Sequence, residues 1–326
     1  MIKGLIMSRT PLRVSFIGGG SDFLSYYNNI GYGRVISSTI DKYIYIILHN
    51  RNDKLIRASY SKTEVVQNLD ELQHELIRES LKFFKITDSI EIISISDVTG
   101  QGTGLGSSSS YTVGLLNAIS RMNNKSYSKY NLATDACSIE IDSCKKPIGK
   151  QDQFAAAFGG MNEIIFNSDG TVDVCPMKIP TKNLNVLENN LMLFNTNIKR
   201  ESSDILFEQY EGYKNKKKLE LTKKIVMLGD PFKKALIENI DDVGRILNEI
   251  WQLKKNLASK ITNSEIDNLY DKGLKFGALG GKLCGAGGGG FLMLYVKPEN
   301  QESVRRGLSD FKELKFKFDY EGAVIL

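Results

Sequence analysis

Histidine is nearly missing from this chain, with only His49 and His74 in 326 residues, so a multi-histidine metal site or a histidine-centred triad is hard to assemble. Cysteine is scarce too. Cys137, Cys144, Cys175 and Cys284 show no CxxC spacing, and four thiols in a chain this long do not make a disulfide framework. They read as reduced thiols, which points to a cytoplasmic protein. No apolar run approaches the roughly 20 residues that cross a bilayer, and the start, Met1 to Met7, is too short for a signal peptide. Neither membrane insertion nor export is expected. The net charge of +5 is small for the length; a nucleotide and a phosphorylated small molecule account for it without nucleic acid.

What is present is an ordinary globular composition, 41% hydrophobic and 25% charged, long enough for two domains of usual size. Strand patterns run over Val35 to Leu48, Ile90 to Val98, Asn162 to Phe166, Leu191 to Asn195, Phe291 to Val296 and Lys315 to Tyr320. Helical patterns cover Leu69 to Phe84, Ser108 to Met122, Lys129 to Cys144, Asp241 to Lys260 and Ser264 to Phe276, with Pro298 placed to open another. Strands and helices mix without strict alternation, which predicts an α+β fold rather than a doubly wound parallel sheet. Thr171 to Asn190 shifts to proline and asparagine and reads as the connection between domains 1–182 and 183–326. The lysines from Lys214 to Lys218 and at Lys223 and Lys224 carry no interleaved aromatics, so they read as a solvated helix face and not an RNA platform.

Between the Ile90 strand and the helix ending at Met122 lies a loop rich in glycine and serine, Gly102 to Ser110. Strand, glycine loop and helix start read as a phosphate cradle, since glycine admits close backbone approach and the free amides at a helix start favour anionic oxygens; the plainer alternative is that Ser107 to Ser110 only cap a helix after a flexible turn. Gly102, Gly104, Leu105, Gly106, Ser107, Ser108 and Ser109 are the candidate nucleotide-binding residues. The lysine of a P-loop is absent. Glu140 lies on the apolar stripe formed by Ala133, Ala136, Cys137, Ile141 and Cys144. A carboxylate there needs a cation or strong donors, supplied by magnesium or by an ion pair with Lys145 or Lys146. Asp152 follows a Pro147 and Gly149 break, either capping a new helix or serving chemistry.

Gly104 to Ser109 resembles the central motif of the galactokinase, homoserine kinase, mevalonate kinase and phosphomevalonate kinase superfamily, with Val98 or Thr99 where the family usually has proline. Pro147 to Phe154 is similar to the PxGxxDQF signature of its galactokinase-type branch. Arg9 to Phe23, RTPLRVSFIGGGSDF, resembles its first motif, and Gly280 to Gly290 its third, with Cys284 where threonine or serine is commoner. The resemblance implies an amino-terminal domain like that of a ribosomal protein and a ferredoxin-like carboxyl-terminal domain. It implies ATP and Mg2+, with Ser108 and Glu140 holding the metal on the nucleotide phosphates, Arg13 near the transferred phosphate, and Asp152 beside the acceptor hydroxyl. Lys150 is either a second cation near that phosphate or a solvent-facing side chain. Gly18, Gly19, Gly20, Ser21 and Asp22, with Gly285, Ala286 and Gly287, are the implied substrate contacts.

Within the family the first motif is most similar to anomeric sugar kinases, above all those phosphorylating C1 of D-glycero-D-manno-heptose 7-phosphate for surface polysaccharide; fucose kinases are the alternative. Asn195 to Ser202 resembles a Thr-Gly-x-x-Arg element of that branch, with Asn197 for glycine, so Lys199 and Arg200 either grip the substrate's own phosphate or face solvent. A glutamate stands in galactokinases where this chain has Gly19, which argues against galactose. Two other classes stay open, a nucleotide and sugar sensor without turnover and an RNA-binding protein. Association with further copies of the chain is also left open.

Overall fold

The computed structural model describes residues 4–99, 102–198 and 202–326, and two sheets organise them. In chain order the strands are β1 (Ile6–Ile17), β2 (Tyr32–Asn50), β3 (Ile56–Ser59), β4 (Thr63–Val66), β5 (Ile90–Ser96), β6 (Met161–Asn167), β7 (Val172–Pro176), β8 (Leu191–Asn195), β9 (Ala278–Leu283), β10 (Phe291–Val296), β11 (Glu313–Leu314) and β12 (Val324–Ile325). The first sheet has the order β12-β1-β2-β5-β3-β4, with β6 and β7 added beside β2. Its long strand β2 serves three neighbours. Tyr32 to Ser38 pairs with β6, Ile44 to Asn50 with β5, and β1 lies along the other edge. The register between β1 and β2 shifts at Pro11/Leu12, where a proline without an N–H interrupts the ladder.

The second sheet is antiparallel throughout, in the order β11-β8-β10-β9. Its strand β10, Phe-Leu-Met-Leu-Tyr-Val, is buried at every position. The run is continuous rather than alternating because both faces of a central strand are covered. Helices Asp242–Lys254 and Ser264–Lys275 pack on β9. The two sheets share one core: Leu12 and Ile46 of the first belong to the same buried cluster as Leu193 and Met293 of the second and Trp251. The chain end returns as β12 to pair with β1. All strand pairs named are antiparallel except β3 with β5, as an α+β fold requires.

Several local expectations need correction. Lys315 to Tyr320 is not a strand; only Glu313–Leu314 pairs with β8, and Phe318 makes an isolated bridge to Ile40. Thr171 to Asn190, read as the connection between the two halves, contains β7 and helix Thr181–Asn190. The expected helix from Leu69 divides into a 3₁₀ turn, Leu69–Glu71, and helix Glu75–Phe83, which begins at the His74 cap. The helix expected over Lys129 to Cys144 is α-helical to Cys137 and then widens into a π-helix, Ser138–Ser143, closed by the Cys144 N–H on Ile139 O at 2.9 Å. Inserted residues of this kind re-aim a side chain inward, and the one carried here is Glu140. The lysine run does lie on helix Lys216–Met227 and in the turn before it. Lys214 pairs with Glu211, Lys218 with Glu208 and Lys223 with Glu220.

Candidate active site

Helix Ser107–Met122 starts at Gly106 with no side-chain cap, and its first intrahelical bond runs from Ser110 N–H to Gly106 O at 2.9 Å. The amides of Ser107, Ser108 and Ser109 therefore have no acceptor within the helix. They open on a cavity of about 700 Å³ walled by both halves of the chain. The carboxyl-terminal glycine loop closes on this helix start. A Cβ on Gly285 would sit 2.5 Å from Gly104 Cα, and one on Gly104 would sit 2.5 Å from Cys284 O. Only glycine permits backbone contact this close.

Below the helix start Glu140 is completely buried. The hydroxyls of Ser108, Ser109 and Thr112 donate to its carboxylate at 2.7, 2.6 and 3.0 Å, and Gln153 Nε2 donates as well. Lys146 Nζ stands 3.6 Å from Glu140 Oε1 and 3.0 Å from Ser108 Oγ. The π turn brings the carboxylate to these donors; a charge left unpaired here would cost several kcal/mol.

Arg13, on β1, makes a bidentate pair with Asp152, each bond 2.7 Å, and donates a third hydrogen bond to Gly104 O at 2.6 Å. One guanidinium thus fixes the first motif, the glycine loop and the carboxylate together. Burial raises the Asp152 carboxyl above the usual range; the charge of Arg13 opposes this and that of Glu140 adds to it. Beyond this pair lies Asp22, which accepts from Gly20 N–H at 3.0 Å and from Gln151 N–H and Nε2, both at 3.1 Å. Burial pushes Asp22 up to about 6, against the Gln151 amide bond, and the charge of Asp152 adds to the rise.

The arrangement joins an anion-binding helix start to a charge-paired carboxylate and a second, protonatable one, all on one cavity. Comparison with known proteins places the chain in a family. The model of the GHMP kinases N terminal domain covers residues 64–160, and that of the GHMP kinases C terminal covers residues 232–313. A D-glycero-alpha-D-manno-heptose 7-phosphate kinase of Campylobacter jejuni is 32% identical over 316 residues, 93% of each chain. The chain belongs to the GHMP kinase family. A galactokinase of Pyrococcus furiosus is 26% identical over 97% of this chain and 95% of its own. The crystal structure of a D-glycero-D-manno-heptose 1-phosphate kinase from Bacteroides thetaiotaomicron superposes with a TM-score of 0.81 at 27% identity, covering 98% of both chains. As a GHMP kinase the protein is an ATP-dependent phosphotransferase with an alcohol acceptor.

In this GHMP kinase Arg13, Asp152, Gly19, Gly20 and Asp22 line the cavity, as do Gly102, Gly104, Gly106 and the serines from Ser107 to Ser109. From the third motif Gly285 and Ala286 reach it. Other expected residues stand behind the wall. Leu105 is buried, with its carbonyl accepting from Arg13 N–H at 2.9 Å; Ser21 exchanges hydrogen bonds with the Arg34 backbone; and Gly287 abuts Ile261. The Gly18 backbone is pressed against Arg34 O in the same way. Arg200 lies outside the described residues, as does Lys199. Lys150 is not brought to the cavity: its Nζ reaches Gly170 O at 3.4 Å and lies 5.7 Å from the centre of the Tyr27 ring.

Two other lysines reach the cavity. Lys146 lines the cavity beside the helix start, through its contacts with Ser108 and Glu140. Lys282, on β9, is buried at the cavity wall, with Nζ donating to Ser15 O at 2.8 Å and Phe16 O at 2.9 Å. Burial pulls its ammonium down to about 8. The sequence carries a signal for Lys282, since a lysine between Gly281 and Leu283 interrupts an otherwise small and apolar strand. Lys146 had no such mark beside Lys145.

The donors suit magnesium. Ser108 lines the cavity with Glu140 directly behind it, so the pair would supply hard oxygen ligands there, and among the described residues no group of three acids, histidines or cysteines could cage a metal alone. Magnesium commonly takes one or two carboxylates and completes its shell with phosphate and water.

Proposed function

We propose that the protein transfers the γ-phosphoryl group of ATP to the C1 hydroxyl of D-glycero-D-manno-heptose 7-phosphate, giving the 1,7-bisphosphate. The observation that carries the phosphoryl-transfer reading is the Arg13–Asp152 pair held against Gly104 O between an open helix start and Asp22. In this reading Asp152 serves the acceptor hydroxyl as base or orienting group, and Arg13 counters charge on the transferring phosphoryl group. Phosphoryl transfer depends mainly on such positioning and charge neutralisation. Ser108 and Glu140 would hold magnesium, which neutralises charge on the nucleotide phosphates when bound. The heptose acceptor is supported by 32% identity across 93% of a heptose 7-phosphate kinase.

The two heptose kinase relatives differ in their names over which position already carries phosphate. Incubating the protein with ATP, magnesium and a panel of sugars and sugar phosphates, with phosphorus NMR to locate the new ester, decides the matter. A new anomeric phosphate on the 7-phosphate is the expected product; no turnover of any heptose phosphate would sink the reading. Asp152→Asn should bind nucleotide normally while turnover falls by about 10³-fold. Full activity in that variant removes Asp152 from the chemistry.

A further inference from the structure

The acceptor end of the cavity has a wall that none of the family's motifs accounts for. Helix Ser202–Gly212 of the carboxyl-terminal half turns Ser203, Leu206 and Gln209 toward it at helical spacing. Gln209 is 5% exposed, and its Nε2 donates to Tyr213 OH at 3.0 Å. Thr222, on the following helix Lys216–Met227, donates to the same phenol oxygen at 3.2 Å. The amide of Gln209 is therefore pinned at its nitrogen, and its Oε1 has no hydrogen-bond partner among the described residues.

Gly20 shows how tightly this wall meets the first motif. Its φ is +98°, and a Cβ there would lie 2.1 Å from Gln209 Nε2 and 2.6 Å from Tyr213 OH. The same residue gives its N–H to Asp22 at 3.0 Å. Asp22 and Gln209 thus flank a single glycine, one from each half of the chain. With its nitrogen engaged, Gln209 offers its amide oxygen as an acceptor on the polar cavity it lines, and a sugar hydroxyl is a donor of the right size.

We infer that Gln209, oriented by Tyr213 and Thr222, is a specificity-determining residue that accepts a hydrogen bond from an acceptor-sugar hydroxyl on the side opposite Asp22. The inference rests on the reading of this end of the cavity as the acceptor site. It makes the helix from Ser202 part of substrate choice, so acceptor discrimination depends on the two halves being docked, whereas nucleotide binding draws on the helix start at Gly106.

The experiment compares wild type, Gln209→Leu and Tyr213→Phe on D-glycero-D-manno-heptose 7-phosphate and on its monodeoxy analogues, with ATP kinetics and melting temperature measured alongside. For Gln209→Leu, kcat/KM for the full acceptor should fall roughly ten- to thirtyfold while KM for ATP holds, the loss expected for one hydrogen bond to a polar substrate group. The variant should also cease to discriminate against one deoxy analogue. Tyr213→Phe should show the same pattern at smaller size. An unchanged acceptor preference in Gln209→Leu, or an equal loss on every acceptor and on ATP, overturns the inference. If wild type itself phosphorylates none of these sugars, the heptose reading fails instead.

Discussion

Glu140 and Asp22 are both buried carboxylates, one behind the serines of the helix start and the other lining the cavity, and the chain treats them differently. Glu140 receives three hydroxyls and an amide, with the Lys146 ammonium 3.6 Å away. Asp22 receives only neutral donors, from Gly20 and Gln151, and feels the negative charge of Asp152. The end read as the nucleotide site is thus assembled before any ligand arrives. Polyphosphate, common to every reaction of such an enzyme, meets a fixed surface. The acceptor end keeps unspent hydrogen-bonding capacity, Asp22 on one side and Gln209 on the other, for a sugar that must be distinguished from its relatives.

The hardest test of the preassembled end is Glu140→Gln. The substitution keeps the shape but turns an amide NH2 toward side chains that already donate, so its hydrogen bonds conflict. Activity is expected to fall about a hundredfold, with the magnesium concentration for half-maximal rate rising at least tenfold. Stability should drop by about 1–3 kcal/mol, the cost of unmatched buried polar groups. A titration of rate against magnesium and a urea melt measure the two effects separately. Unchanged magnesium dependence would mean that Glu140 only props Ser108 and Ser109.

The same contrast explains which parts of the molecule were legible in the sequence. The helix start showed itself because Gly106 and the serines are local: their function follows from the order of strand, loop and helix. Glu140 showed itself as a charge on an apolar stripe. The π turn that presents it did not, since an extra residue in a helix leaves the 3.6-residue pattern almost intact over one turn. Lys150 stayed open between two readings because two residues of spacing from Asp152 say nothing about direction where the chain is irregular. Gln209 carried no signal. Its position depends on helix Ser202–Gly212 docking against Gly20, a contact between residues 189 apart that no local pattern encodes.

The acceptor end should reveal its uncompensated charge through pH. With Asp22 raised to about 6, its ionised form predominates at neutral pH and is lost as pH falls through 6. The kcat/KM for the acceptor should then decline up to tenfold per unit below that point if ionised Asp22 is the binding form. The stability term runs the other way: because the folded pKa exceeds the unfolded one, folding is favoured below the usual aspartate value of about 4 and the benefit disappears as pH rises to 6. Asp22→Asn should abolish both dependences. A limb near pH 6 that persists in that variant would assign the titration to another group and weaken the contrast with Glu140.

The smallest effect separates two lysines only four positions apart. Lys146 touches Ser108 Oγ and lines the nucleotide end, so Lys146→Met should raise KM for ATP about five- to tenfold by removing a partly buried cation from the phosphates. Lys150 caps the Gly170 carbonyl away from the cavity at 3.4 Å, a long contact at an exposed position, and exposed polar substitutions usually change little. Lys150→Met should leave KM for ATP, KM for the acceptor and kcat within about twofold of wild type. If it instead matched Lys146→Met, the irregular segment from Lys145 to Lys150 would have to refold around bound nucleotide. The nucleotide end would then be no more preassembled than the acceptor end, and the difference between Glu140 and Asp22 would lose its functional meaning.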